Sequence, residues 1–111
     1  MLLHRDQLSF DTFGWEFVGE THGQTGVSFI LVDAGPGEGP ALHTHPYEEV
    51  LIVLEGEVTA TVGERTLRAG AGHVLVVPPH TPHRFVNSGA SRLRRVDIHV
   101  SPRFQTTWLE P

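Results

Sequence analysis

The chain has 111 residues, no Cys and no Lys, and its thirteen acidic residues outweigh eight Arg to give a formal charge of −5. That length suits one domain able to bury a core without disulfides, and the missing Cys and Lys exclude thiolate nucleophiles, iron–sulfur clusters, the common structural zinc sites and Schiff-base chemistry. Scattered Arg residues exclude a nucleic-acid footprint; no apolar run reaches signal-peptide or membrane-spanning length, so a soluble cytoplasmic protein with no membrane partner is expected.

Twelve Gly and eight Pro interrupt segments rich in Val, Ile, Phe and Thr, which predicts strands rather than helices. Phe13–Val18 and Val27–Val32 read as strands joined by a polar turn containing His22, Gly23 and Gly26. The loop Asp33–Pro40 leads to an apolar stretch, Glu49–Leu54, closed by Gly56. Glu57–Val62 alternates, and a hairpin turn is expected at Gly63 and Glu64. His73–Val77 is a short strand stopped by Pro78 and Pro79, Arg84–Val86 follows, and Leu93–Val100 is the last strong strand. The tail carries Phe104, Trp108 and Leu109 and is expected to pack on the body or on a partner subunit as a short segment or helix. No repeat or linker divides residues 1–111, so a single all-β domain, an antiparallel barrel or sandwich, is expected.

Four side chains dominate the chemistry: His43, His45, Glu49 and His83. On a strand, side chains alternate faces, so His43, His45, Tyr47 and Glu49 share a face continued by Leu51 and Val53, while Glu48 lies on the other. Parity therefore assigns the ligand role to Glu49. His83 shares parity with Phe85 and Asn87 and can point inward from a facing strand. Three imidazoles and one carboxylate suit a divalent transition metal, namely Mn, Fe, Co, Ni, Cu or Zn, with positions left open for chemistry. They leave a divalent ion with a formal positive charge, which favours an anionic, chelating oxygen ligand such as an enolate, hydroxy-acid, keto-acid or diol. Tyr47 shares the ligand face and is a candidate catalytic residue or proton relay.

The spacing resembles the cupin family. Gly37, five residues, His43-Thr44-His45, three residues, Glu49, six residues and Gly56 match the first cupin motif at every fixed position. Gly72, five residues, Pro78, one residue, His80, two residues, His83, three residues and Asn87 match the second, except that His80 stands where Gly is usual. The resemblance covers Gly37–Asn87 and implies a double-stranded antiparallel β-barrel of the jelly-roll type, with His43, His45, Glu49 and His83 around the metal. It also implies a homodimer.

Cupin activities include dioxygenases, sugar isomerases, decarboxylases and lyases, and some members do not catalyse. A histidine-rich site supports a redox metal with free positions, so a dioxygenase-like, metal-dependent enzyme acting on a small oxygen-rich or anionic molecule is expected. The alternatives are isomerisation, ring opening or decarboxylation, or a non-catalytic metal- or metabolite-binding module. A His at position 80 adopts the positive φ that Gly permits only at some cost; it also places an extra imidazole near the pocket mouth, a second candidate for catalysis.

Of the remaining residues, His73, His4 and His22 read as surface positions and His99 as a satisfied sheet histidine rather than a fifth ligand. Trp15 and Trp108 read as packing residues. Arg92, Arg94 and Arg95 read as a solvated edge, with Arg95 able to meet an anionic substrate if its face turns inward.

Overall fold

In the computed structural model, which describes residues 1–111, the only helical turn is a 3-10 turn at Arg5–Gln7. Everything else that is regular is strand. In chain order these are β1 (Ser9–Asp11), β2 (Gly14–Phe17), β3 (Ser28–Ala34), β4 (His43–Thr44), β5 (Glu49–Glu55), β6 (Glu57–Val62), β7 (Arg65–Gly70), β8 (Val74–Val77), β9 (His83–Asn87), β10 (Leu93–His99) and β11 (Thr107–Trp108). β1 lies in a polar stretch with no alternation to reveal it; it forms because it pairs with β2. The tail is no helix: Thr107–Trp108 adds to the edge of a sheet by pairing with β4. No helix is long and apolar enough to cross a membrane.

The strands form two antiparallel sheets. One has the order β1-β2-β3-β10-β5-β8 and the other β11-β4-β9-β6-β7. Leu51, Val53, Val77 and Leu93 from the first sheet meet Val58, Ala60, Ala69 and Phe85 from the second to make the core. Each large side chain fully buried there stabilises the fold by roughly 1.5–3 kcal/mol relative to exposure. Gly56 connects β5 to β6 with φ +85°, and a Cβ at that position would meet the Arg92 carbonyl oxygen at 2.4 Å. Both the turn and the close approach of β10 require glycine.

Burial alternates through residues 43–53, with every odd position buried, as strand parity predicts. The strand itself does not run through. It stops after Thr44, bends through Pro46 and Tyr47, and resumes at Glu49 in the opposite sheet. Pro46 lacks the N–H that a continuing ladder needs. The crossing carries the same face of the chain from one sheet to the other, and this is what closes the donors around a point.

Candidate metal centre

His43 on β4 lies opposite His83 on β9 in register, and their rings are 4.2 Å apart. Glu49 opens β5 in the other sheet, where it faces His99 on β10 and Val77 on β8. His45 sits in the crossing segment between them. The donor atoms of His43, His45, Glu49 and His83 all lie within 4.8 Å of one another, and all four residues are buried. Oε1 of Glu49 is 3.1 Å from His45 Nε2 and 3.4 Å from His83 Nε2. Glu48, by contrast, is only half-buried and offers no donor to the group.

Backbone carbonyls decide which imidazole nitrogen is free. His43 Nδ1 contacts Ala41 O at 2.6 Å, His45 Nδ1 contacts Gln105 O at 3.1 Å, and His83 Nδ1 contacts Thr81 O at 2.8 Å. A carbonyl can only accept, so each Nδ1 carries the proton and donates it, leaving an Nε2 lone pair aimed at the common point. His45 Nε2, His83 Nε2 and Glu49 Oε1 are buried without any hydrogen-bond partner. Orphaned buried polar atoms are costly, and here they converge. The donor set fits a divalent transition metal.

Electrostatics agree with that donor set. Burial pushes His43 down to about 4, so its imidazole is neutral at physiological pH. Burial alone would raise the Glu49 carboxyl, but the adjacent imidazoles of His45 and His83 hold it well below the usual carboxylate range. His83 feels burial downward and is nonetheless raised, because Glu49 and the Thr81 carbonyl favour its proton. The centre thus presents an ionised carboxylate among imidazoles.

His99 has a different part. Its Nε2 is 3.2 Å from Glu49 Oε1, so it faces the centre rather than resting within a sheet. Tyr47 Oη lies 2.8 Å from His99 Nδ1 and accepts the Gln105 N–H at 3.2 Å. His45 Nδ1, 3.4 Å from the same hydroxyl, already carries its proton toward the Gln105 carbonyl. The Tyr47 O–H therefore donates to His99 Nδ1, which puts the His99 proton on Nε2, pointing at Glu49. His99 is neutral, with burial lowering it to about 4, and its Nε2 faces the carboxylate. Burial likewise pushes the Tyr47 hydroxyl up to about 12. Tyr47→Phe strands the Gln105 N–H and the His99 Nδ1, and should cost about 1–3 kcal/mol in denaturant unfolding. Because Tyr47 touches no metal-facing atom, metal content should be retained; a variant as stable as the wild type would contradict the hydrogen-bond assignment.

His80 is exposed and its side chain does not line the cavity. Its backbone has φ +61°, the left-handed conformation usual for the glycine it replaces. From there its N–H donates to the His45 carbonyl at 2.7 Å, tying the segment before His83 to the crossing segment.

The centre opens into a cavity of about 660 Å³. Ile30, Val32 and Phe85 supply apolar wall, and Phe104, Thr106 and Trp108 from the tail line it as well. Trp108 is 59% exposed, with its ring 5.0 Å from that of His43, and so stands at the mouth instead of packing the core. Arg95 and Asp97 also line the cavity, both buried, joined by Arg95 Nε donating to Asp97 Oδ1 at 2.9 Å. Burial raises the Asp97 carboxyl to about 6 against the opposing pull of Arg95. Arg92 behaves as an edge residue, paired with Asp33, and Arg94 is exposed.

Of the inward row Arg95, Asp97 and His99, pattern reading foresaw only Arg95, as able to meet an anionic substrate if its face turns inward, and missed the other two. The signal was present as parity with Leu93. Hydrophobicity nevertheless points the other way, toward Val96 and Ile98, which are only half-buried.

The cupin-domain family model matches residues 30–99. Polyketide synthase CurC of Streptomyces cyaneus is 36% identical over 86 residues, covering 77% of this chain and 53% of the relative. Protein SchB of Streptomyces halstedii is 38% identical over 87 residues, covering 76% and 58% respectively. The chain spans about half the length of the curated relatives it matches. Among solved structures, Bacillus subtilis oxalate decarboxylase, a protein with Mn(II) centres, superposes with a TM-score of 0.83 over 94% of this chain and 30% of that chain, at 24% identity. That likeness is one of fold, a double-stranded antiparallel β-barrel. Two motifs, two facing sheets and the family match agree: the chain belongs to the cupin family.

Proposed function

We propose that the protein holds a divalent transition metal with His43, His45, Glu49 and His83 and acts as a dioxygenase-like enzyme on a small oxygen-rich or anionic molecule. The observation that carries the reading is the convergence of His45 Nε2, His83 Nε2 and Glu49 Oε1, buried with no other partner. A bound metal would supply Lewis acidity, and redox capacity if it is Fe, Mn, Ni or Cu. The chain's own residues do the rest. Ala41, Gln105 and Thr81 carbonyls fix the imidazole tautomers. His99, oriented by Tyr47, faces the carboxylate, and Phe104 with Ile30 and Val32 limits water around the bound molecule.

The name of the Streptomyces cyaneus relative supports the substrate class, since polyketide chains carry oxygens on alternate carbons that enolise to chelating anions. His80 remains a candidate for catalysis only if the mouth closes over it; Tyr47 serves as a positioning residue. The exposed Val74 and Val76 on the edge strand β8 would suit a homodimer contact.

Oxygen uptake by metal-loaded protein tests the reaction type, using catechols, flavonols and diketones. Uptake coupled to substrate loss is the expected result. Substrate loss without oxygen uptake would replace it with isomerisation, ring opening or decarboxylation. Silence across that panel and across sugar-derived uronates would overturn the enzyme reading in favour of a binding module.

A further inference from the structure

Arg95 carries a buried donor that the fold does not use. The residue is 2% exposed, its Nε is taken by Asp97, and its Nη1 has no partner. Its guanidinium carbon lies 5.3 Å from the centre of the Phe85 ring, which supports the charge from one side without accepting a hydrogen bond. Both Arg95 and Asp97 line the same cavity as His43, His45, Glu49 and His99. A guanidinium presents several N–H groups in a fixed fork matched to a carboxylate. Leaving one of them buried and unsatisfied is costly unless a ligand completes it.

Position along β10 sets the order along the wall. Arg95, Asp97 and His99 point the same way, and each step of two residues advances about 7 Å. His99 stands level with Glu49, Asp97 follows one step on, and Arg95 donates its Nε to Asp97. The free donor therefore lies further along the same wall than the metal-facing atoms. Other charges along the wall and rim are negative: Asp11, Glu16, Asp97 and Glu110, the last paired with Arg84. Such a rim opposes ligands of high negative charge. It leaves Arg95 as the one full cationic side chain in the lining.

We infer that Arg95 forms a second, carboxylate-accepting subsite, so that the cavity selects a monocarboxylate that also bears a metal-chelating oxygen pair. This rests on the metal-binding reading above. Arg95 thereby determines specificity and has no part in holding the metal.

The test is calorimetric titration of zinc-loaded protein, zinc being redox-silent, with protocatechuate and with its primary amide. The amide keeps the chelating diol and the shape but removes the charge. Wild type should prefer the acid by roughly tenfold to a hundredfold, as for a hydrogen bond to a charged group. R95M should erase that preference while leaving zinc content unchanged. Because R95M leaves Asp97 buried without its partner, R95M/D97N is measured alongside and should behave the same way; R95K should retain part of the preference. Equal affinity for acid and amide in zinc-loaded wild type, or a preference surviving in R95M/D97N, would overturn the subsite while leaving the metal centre standing. Wild type that takes up none of the candidate ions would overturn the metal reading and this inference with it.

Discussion

Glu49→Ala should abolish metal binding, while Glu48→Ala should leave it intact. The two carboxylates are adjacent in sequence and opposite in placement. Glu49 is 1% exposed, with Oε1 within 3.4 Å of both His45 Nε2 and His83 Nε2, whereas Glu48 faces away. Losing Glu49 removes the only anionic donor of the set. The drop in affinity should exceed the tenfold to roughly hundredfold typical of losing a group that merely supports a ligand. Elemental analysis after dialysis reads the outcome directly. The reverse pattern, metal kept by Glu49→Ala and lost by Glu48→Ala, would mean that the chain enters β5 one residue out of register.

Metal loading should raise the melting temperature by a large margin. A ligand that binds only the folded state stabilises it by about 2.7 kcal/mol at about 100 times its dissociation constant. For a chain of this size that corresponds to about 10 °C. The fold gives a specific reason to expect such a shift. The donors come from both sheets and from the segment crossing between them, so a metal would clamp β4, β5 and β9 together. Three of their buried polar atoms lack any other partner. The gain should shrink on acidification, because protons compete with the metal for the imidazoles and the carboxylate. Superimposable melting curves with and without metal would contradict this account.

Much of the architecture was legible because two sequence signals are strong here. Gly and Pro mark nearly every turn, and β6 falls at the residues its alternation predicts, Glu57–Val62. Parity from His43 to Val53 identified the inward face correctly, even though the strand is broken at Pro46. Burial keeps its period of two through the bend, so the right face was found for a chain that changes sheets midway. The register of His43 against His83 was beyond that reasoning, since it is set by pairing across a long stretch of intervening chain.

Two further parts were hidden for physical reasons. The tail is polar and shows no period, yet the Gln105 carbonyl orients His45 and Thr107–Trp108 completes a sheet. Its place is dictated by partners and not by its own composition. On β10 the usual rule inverts: Arg95, Asp97 and His99 are buried while Val96 and Ile98 are only half-buried. A cavity with charged chemistry needs polar side chains inside, so hydrophobicity alone picks the wrong face. Read against Leu93, which anchors the buried side, parity would have picked the right one.

The central claim is that His43, His45, Glu49 and His83 hold a metal. The metal content of the wild-type protein, measured by elemental analysis after expression with each candidate ion, tests it most directly. The account predicts close to one transition-metal ion per chain, retained through dialysis at neutral pH. Protein that carries none under any supplementation would contradict it.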